Sequence, residues 1–266
     1  MQIRILFVII IISIISSYSF LYERKNLSKR KYDIINIEII NNFSKAIKKN
    51  PNNFFFYLER GKAKHNYGDF KGAIDDFNLA FKLNPDKKHM FYLANAKFDY
   101  GNYGGAIRDY EKLIDIKDLK DQVFFNIASA HLTNLNYREA IKNYSKAILY
   151  DEHDAYAYLS RGDAKFKTND YKGALEDYKK SLSLNNKSFI SLNNNGVSKF
   201  KLGEFKSALQ DFKRSLKIKP NNYNTLYNKS LTHFKLKDKK KACIDLNKSI
   251  KLGKEVFKDE YLEICN

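Results

Sequence analysis

The chain has 266 residues, with 48 Lys+Arg against 30 Asp+Glu and a formal net charge of +18. Its 44% apolar and 29% charged residues, with three prolines and eleven glycines, describe a chain that buries a core, which excludes a disordered or collagenous protein. The sign of the charge excludes an acidic mimic of nucleic acid, but an AT-rich codon supply alone produces abundant Lys, Asn, Ile, Phe and Tyr and no Trp, so total charge says little about partners.

The first element is apolar. Arg4 is followed by an almost unbroken apolar run from Ile5 to Ile15 and then Ser16, Ser17, Tyr18 and Ser19, the layout of a signal peptide over residues 1–19. The alternative is an uncleaved anchor over residues 5–22, 18 residues without a charge and long enough to cross a bilayer. The basic linker over 20–32 (Arg24, Lys25, Lys29, Arg30, Lys31) disfavours passage of that flank across a membrane. Both readings stay open here. The expected location is the periplasm, cell envelope or medium after export, or a membrane if the segment is retained.

From residue 33 the sequence repeats. Gly61-Lys-Ala-Lys and Asp69-Phe-Lys-Gly-Ala73-Ile-Asp-Asp-Phe77 return as Ala94-Asn-Ala-Lys and Asn102-Tyr-Gly-Gly-Ala106-Ile-Arg-Asp-Tyr110, and again as Gly162-Asp-Ala-Lys and Asp170-Tyr-Lys-Gly-Ala174-Leu-Glu-Asp-Tyr178. Ala73, Ala106, Ala140, Ala174, Ala208 and Ala242 follow one another at intervals of 33, 34, 34, 34 and 34 residues. Six units result, at 54–86, 87–120, 121–154, 155–188, 189–222 and 223–256. Each is expected to hold two helices of about a dozen residues, parted at Gly68, Gly101, Asn169 or Gly203, residues that end a helix at low cost. Small residues at the eighth position (Gly61, Ala94, Ala128, Gly162, Gly196, Ser230) and the central alanines let the two backbones approach, and aromatics at positions 17 and 24 fill the space beside them. A lone second helix over 33–53, with Phe43, Ala46 and Pro51, precedes the first unit, and a capping helix over 257–266 follows the sixth.

This pattern resembles the tetratricopeptide repeat, with its small residue at 8, aromatics at 17 and 24, Ala at 20 and frequent Pro at 32, here Pro85 and Pro220. The resemblance implies an all-α, right-handed α-solenoid of six repeats, a half repeat and a cap. It also implies a noncatalytic scaffold that binds a protein or peptide through the concave face lined by the first helices. On that face it places Phe55, Leu58, Phe91, Tyr92, Asn95, Phe125, Asn126, Tyr156 and Leu159, an aromatic and aliphatic floor, then Asn193, Asn194, Lys201, Tyr227, Asn228 and Lys235. The family's clamp for a C-terminal carboxylate needs Lys at position 5. Here that position is Leu58, Phe91, Phe125, Leu159, Asn193 and Tyr227, so the asparagine pair Asn95 and Asn126 lacks its charged partners.

Little in the sequence suggests chemistry. Cys243 and Cys265 fall on helices expected to run antiparallel, so a disulfide and two buried thiols are both open. The histidines (His65, His89, His131, His153, His233) are scattered and read as surface residues without metal-ligand spacing. The adjacent carboxylates Asp75-Asp76 and Glu176-Asp177 point to different faces and read as a solvated convex surface. No nucleophile, phosphate-loop or dinucleotide motif occurs, so neither an enzyme nor a cofactor is expected. Charge is uneven: residues 189–256 hold 16 Lys+Arg and 5 Asp+Glu, a net +11, while 54–188 hold 22 and 19, a net +3. The alternative function is therefore binding of an anionic lipid surface or polyanion through the fifth and sixth units, with Lys235, Lys237, Lys239, Lys240 and Lys241. Nucleic acid is disfavoured by the absence of a base-reading motif.

Overall fold

The computed structural model describes Lys29 and residues 31–265. The expected signal peptide or anchor and most of the basic linker lie outside the described residues. Among the described residues no helix is long and apolar enough to cross a membrane. The protein is all-α, and it divides into two compact units, residues up to Asp109 and residues from Tyr110 onward.

In the first unit, α1 covers residues 31–49 and is followed by α2 (Phe54–Tyr67), α3 (Phe70–Leu83), α4 (Lys87–Asp99) and α5 (Tyr103–Glu111), whose last two residues belong to the second unit. Phe43 of α1 meets Phe55 and Phe56 with ring centroids 6.2 and 6.1 Å apart. The core is Leu58, Ala73, Phe77, Ala80, Leu93 and Ala96 from α2, α3 and α4. In the second unit, α6 (Lys120–Thr133), α7 (Tyr137–Tyr150), α8 (Ala155–Lys167), α9 (Tyr171–Leu184), α10 (Phe189–Lys201), α11 (Phe205–Ile218), α12 (Tyr223–Lys235) and α13 (Lys239–Lys251) pack each on the next, and α14 (Lys258–Cys265) closes against α13.

The pattern has a physical origin at three register positions. A Cβ built on Gly61, Gly162 or Gly196 would stand 2.7 Å from the ring of Phe77, Tyr178 or Phe212, so these rings lie where only a small residue leaves room. The central alanines are completely buried. At the start of the second helix, Asp69 and Asp170 accept a hydrogen bond from the Gly72 and Gly173 amides, both 2.9 Å, and an added Cβ there would collide with the capping carboxylate at 2.2 Å. Where Glu139 or Ser207 replaces that glycine, the caps Asn136 and Glu204 make no such bond.

The turn between paired helices is left-handed at the same position in all six units: Gly68, Gly101, Leu135, Asn169, Gly203 and Lys237 have φ between 60° and 95°. Leu135 and Lys237 carry this conformation without the residue type that tolerates it. One element departs from the expected dozen residues: α5 has 9, and a turn and the short 3-10 helix Lys117–Leu119 follow. Here the fully buried Leu113 takes the place held by Ala or Ser in the other units.

Candidate functional site

The face expected to meet a partner is built from the first helices. In the first unit, Phe55 and Tyr92 are exposed and Phe91 and Asn95 are half-buried. The Tyr92 ring stacks on Phe77 at 5.9 Å and carries Lys62 Nζ 4.6 Å above it, which holds an exposed aromatic in one orientation. In the second unit, Tyr156 is 66% exposed, Phe125 and Asn126 are half-buried, and Lys201 and Lys235 are exposed. Two expected floor residues are corrected: Leu58 and Leu159, at 6% and 8% exposure, are core side chains and leave little surface to a partner. Position 5 of α2 and α8 points into the neighbouring second helix, where Phe77 and Tyr178 enclose it. Tyr227 is covered in part by the cap: its hydroxyl donates to Glu260, and Lys254 Nζ lies 4.7 Å from its ring. Burial and the bond to Glu260 push its phenol up to about 12.

The asparagines are brought together. Asn228 Nδ2 donates to Asn193 Oδ1 at 3.1 Å, Asn193 Nδ2 to Asn194 Oδ1 at 3.0 Å, and Asn194 Nδ2 to Asp163 Oδ1 at 2.8 Å. The Tyr178 hydroxyl donates to the same Asp163 oxygen at 2.7 Å. The chain of amides thus crosses from α12 through α10 to α8, every dipole aimed at one carboxylate. Desolvation by burial raises Asp163 above the ordinary Asp value, against the opposing influence of Tyr178, Asn194 and Lys167. Beside it lies a cleft of about 480 Å³ in the second unit, lined by Leu132, Leu135, Tyr137, Phe166, Val197 and Asp163, with Lys167 also at its wall.

Asp163 was not singled out because the resemblance gives Asn, not a carboxylate, at its groove position, whereas Tyr178, expected as a packing aromatic, is a core side chain that sends its hydroxyl to Asp163. A second feature was misread. Asp76 and Asp177, expected on a solvated face, are 2% and 3% exposed. Arg60 Nε and Nη2 donate to the two Asp76 oxygens at 2.8 and 2.6 Å, with Lys64 2.8 Å away. Arg161 and Lys165 hold Asp177 in the same way, with the salt bridges at 2.7 and 2.9 Å. Lys97 with Asp109, Lys199 with Asp211, and Lys229 with Asp245 continue the series. The signal was present: Asp stands three residues after the central Ala in five of six units, opposite a basic residue at position 11 of the first helix. The histidines are corrected likewise. His233 is buried with Nδ1 2.9 Å from Asp245, His65 Nε2 is 2.7 Å from Asp99, and among the five only His153 is exposed.

Cys243 and Cys265 are joined by a disulfide, with Cα atoms 4.9 Å apart. Among the described residues no group of three or more His, Cys, Asp or Glu is placed to hold a metal ion.

Residues 125–188 match one family model of the tetratricopeptide repeat, and residues 191–222 and 223–253 match another. Among solved structures, the C-terminal part of a TPR repeat-containing protein from Cytophaga hutchinsonii is similar with a TM-score of 0.70, 17% identity, and coverage of 89% of this chain and 99% of that one. A tetratricopeptide repeat protein from Parabacteroides merdae is similar with a TM-score of 0.64 at 16% identity, covering 91% and 96%. A chain of the APC/C hetero-tetramer Cut9–Hcn1 is similar with a TM-score of 0.64 at 16% identity, covering 86% of this chain and 46% of that one. At such identities the likeness is one of fold. No curated protein matches the chain.

Proposed function

This chain is a tetratricopeptide-repeat protein, and on that premise we propose that it is a noncatalytic scaffold holding a segment of a partner protein against its first helices, exported or membrane-anchored through its N-terminal segment. The observation that carries the reading is the combination in the second unit of an exposed Tyr156, an apolar cleft and a polar amide ladder on successive first helices. Such a surface offers aromatic area and fixed hydrogen-bonding groups, the composition of a peptide-recognition site. That a structurally similar chain is part of a hetero-tetramer supports a protein as the ligand. Affinity capture with wild type and with Tyr92→Ala plus Tyr156→Ala tests it. Selective loss of a partner from the variant is the expected outcome, and equal recovery of every partner by both forms overturns the reading.

A second reading keeps one specific observation: Lys235, Lys237, Lys239 and Lys240 are exposed together around the turn from α12 to α13. A cluster of this kind attracts anionic lipid or polymer. Binding to vesicles with anionic headgroups should fall steeply with added salt and be abolished by neutralising these lysines, whereas salt-independent binding excludes it.

A further inference from the structure

We infer that the cleft beside Asp163 is a socket for a lysine or arginine side chain of the partner segment, its aliphatic stem lying along Leu132, Phe166 and Val197 and its head group pairing with the Asp163 carboxylate. This rests on the scaffold reading above and names the partner's chemistry. Both donors to Asp163, Tyr178 and Asn194, fall on Oδ1, and no protein group donates to Oδ2 among the described residues. Oδ2 is left to solvent at the cleft, while burial of the group as a whole lifts Asp163 from its ordinary range. A cationic group supplies the donor that Oδ2 lacks and adds at contact to the opposite charge that Lys167 provides. The occupant is long as well as cationic, because Leu132, Leu135, Tyr137, Phe166 and Val197 make up most of the lining, with Thr133, Asn194 and Lys167 its other polar members, and Lys or Arg alone combine an apolar stem with a charged end. A metal ion does not fit a single carboxylate, since no second or third His, Cys, Asp or Glu completes a ligand set there among the described residues. Lys167 borders the cleft and is exposed, so its repulsion is screened by solvent while the attraction at Asp163 acts at contact.

The test is selection of short peptides from a displayed random library on the full chain, run in parallel on wild type, Asp163→Asn, Lys167→Glu and Tyr156→Ala. Wild type should enrich peptides with one Lys or Arg between apolar residues. Asp163→Asn should weaken the winning peptide about ten- to a hundredfold and erase the basic preference, and Lys167→Glu should tighten it. Asp163→Asn keeps the acceptor for Tyr178 and Asn194, and circular dichroism of each variant confirms its fold. Peptides that bind, lose affinity in Tyr156→Ala and show no basic preference, or keep that preference in Asp163→Asn, overturn the socket and leave the scaffold reading standing. Failure of wild type to enrich any peptide, or enrichment indifferent to all three variants, overturns both.

Discussion

Asp211 receives Lys199 Nζ at 2.6 Å and Asn195 Nδ2 at 2.7 Å inside a helix pair, with exposed Arg214 at 3.5 Å. A buried carboxylate is costly when stranded, whereas replacing both charges by apolar groups is often neutral or better. Lys199→Met should therefore destabilise by about 3 kcal/mol, and adding Asp211→Leu should recover most of that loss, both read from denaturant unfolding. In the third unit Asn143 stands where the other five units have Asp, opposite His131, and turns its Nδ2 to the Glu139 carbonyl at 2.9 Å. Asp163 behaves oppositely to a stabilising carboxylate. Its folded value is raised, so the fold favours the neutral form, and the stability held at low pH is lost as pH rises through the folded value. Asp163→Asn should be more stable than wild type at neutral pH, and the difference should vanish below pH about 3.9, the ordinary Asp value. A gap that widens on acidification would contradict the assignment.

At the level of elements, the turns and the cap decide how well each helix pair is held. Leu135 is 71% exposed with φ 60°, so its side chain contributes little while its backbone is strained. Leu135→Gly should stabilise by about 1 kcal/mol, the left-handed cost relieved less the entropy of a glycine in the unfolded chain, measurable by urea denaturation. The cap α14 is tied to α13 by the Cys243–Cys265 bond over a sequence separation of 22 and buries Ile264 against Ala242 and Leu246. Cys243→Ser with Cys265→Ser should cost about 3 kcal/mol from loop entropy. The loss should appear first as faster amide exchange in α13 and α14, and the same change should follow addition of reductant to wild type.

Across the molecule, stability in each unit comes from neighbouring helices, because no single pair can bury its own apolar faces. Overpacking one contact should therefore be felt locally. Ala174 is completely buried between α8 and α9, so Ala174→Leu should cost about 1 to 3 kcal/mol. Exchange should accelerate in α8, α9 and α10 before α12 and α13, and uniform acceleration would show a more cooperative array. Much of this fold was legible in the amino-acid order, since alanines at a constant interval, glycines facing aromatic rings and aspartate caps are local requirements that recur with the period. The places of the aromatics and asparagines along the first helices were legible for the same reason. Leu58 and Leu159 were not separable from that face, because side chains one turn apart on a helix share a stripe and only the packed neighbour determines which is enclosed. The Asp163 socket and the asparagine chain were hidden further, since Asp163, Asn194 and Asn228 lie on three different helices and acquire meaning only when backbone stacking sets them within hydrogen-bond distance. Repetition along the chain determined the helices and their small-residue contacts; which carboxylates are paired, buried or left facing a cleft is decided by tertiary packing, because desolvation and hydrogen bonding depend on neighbours distant in sequence.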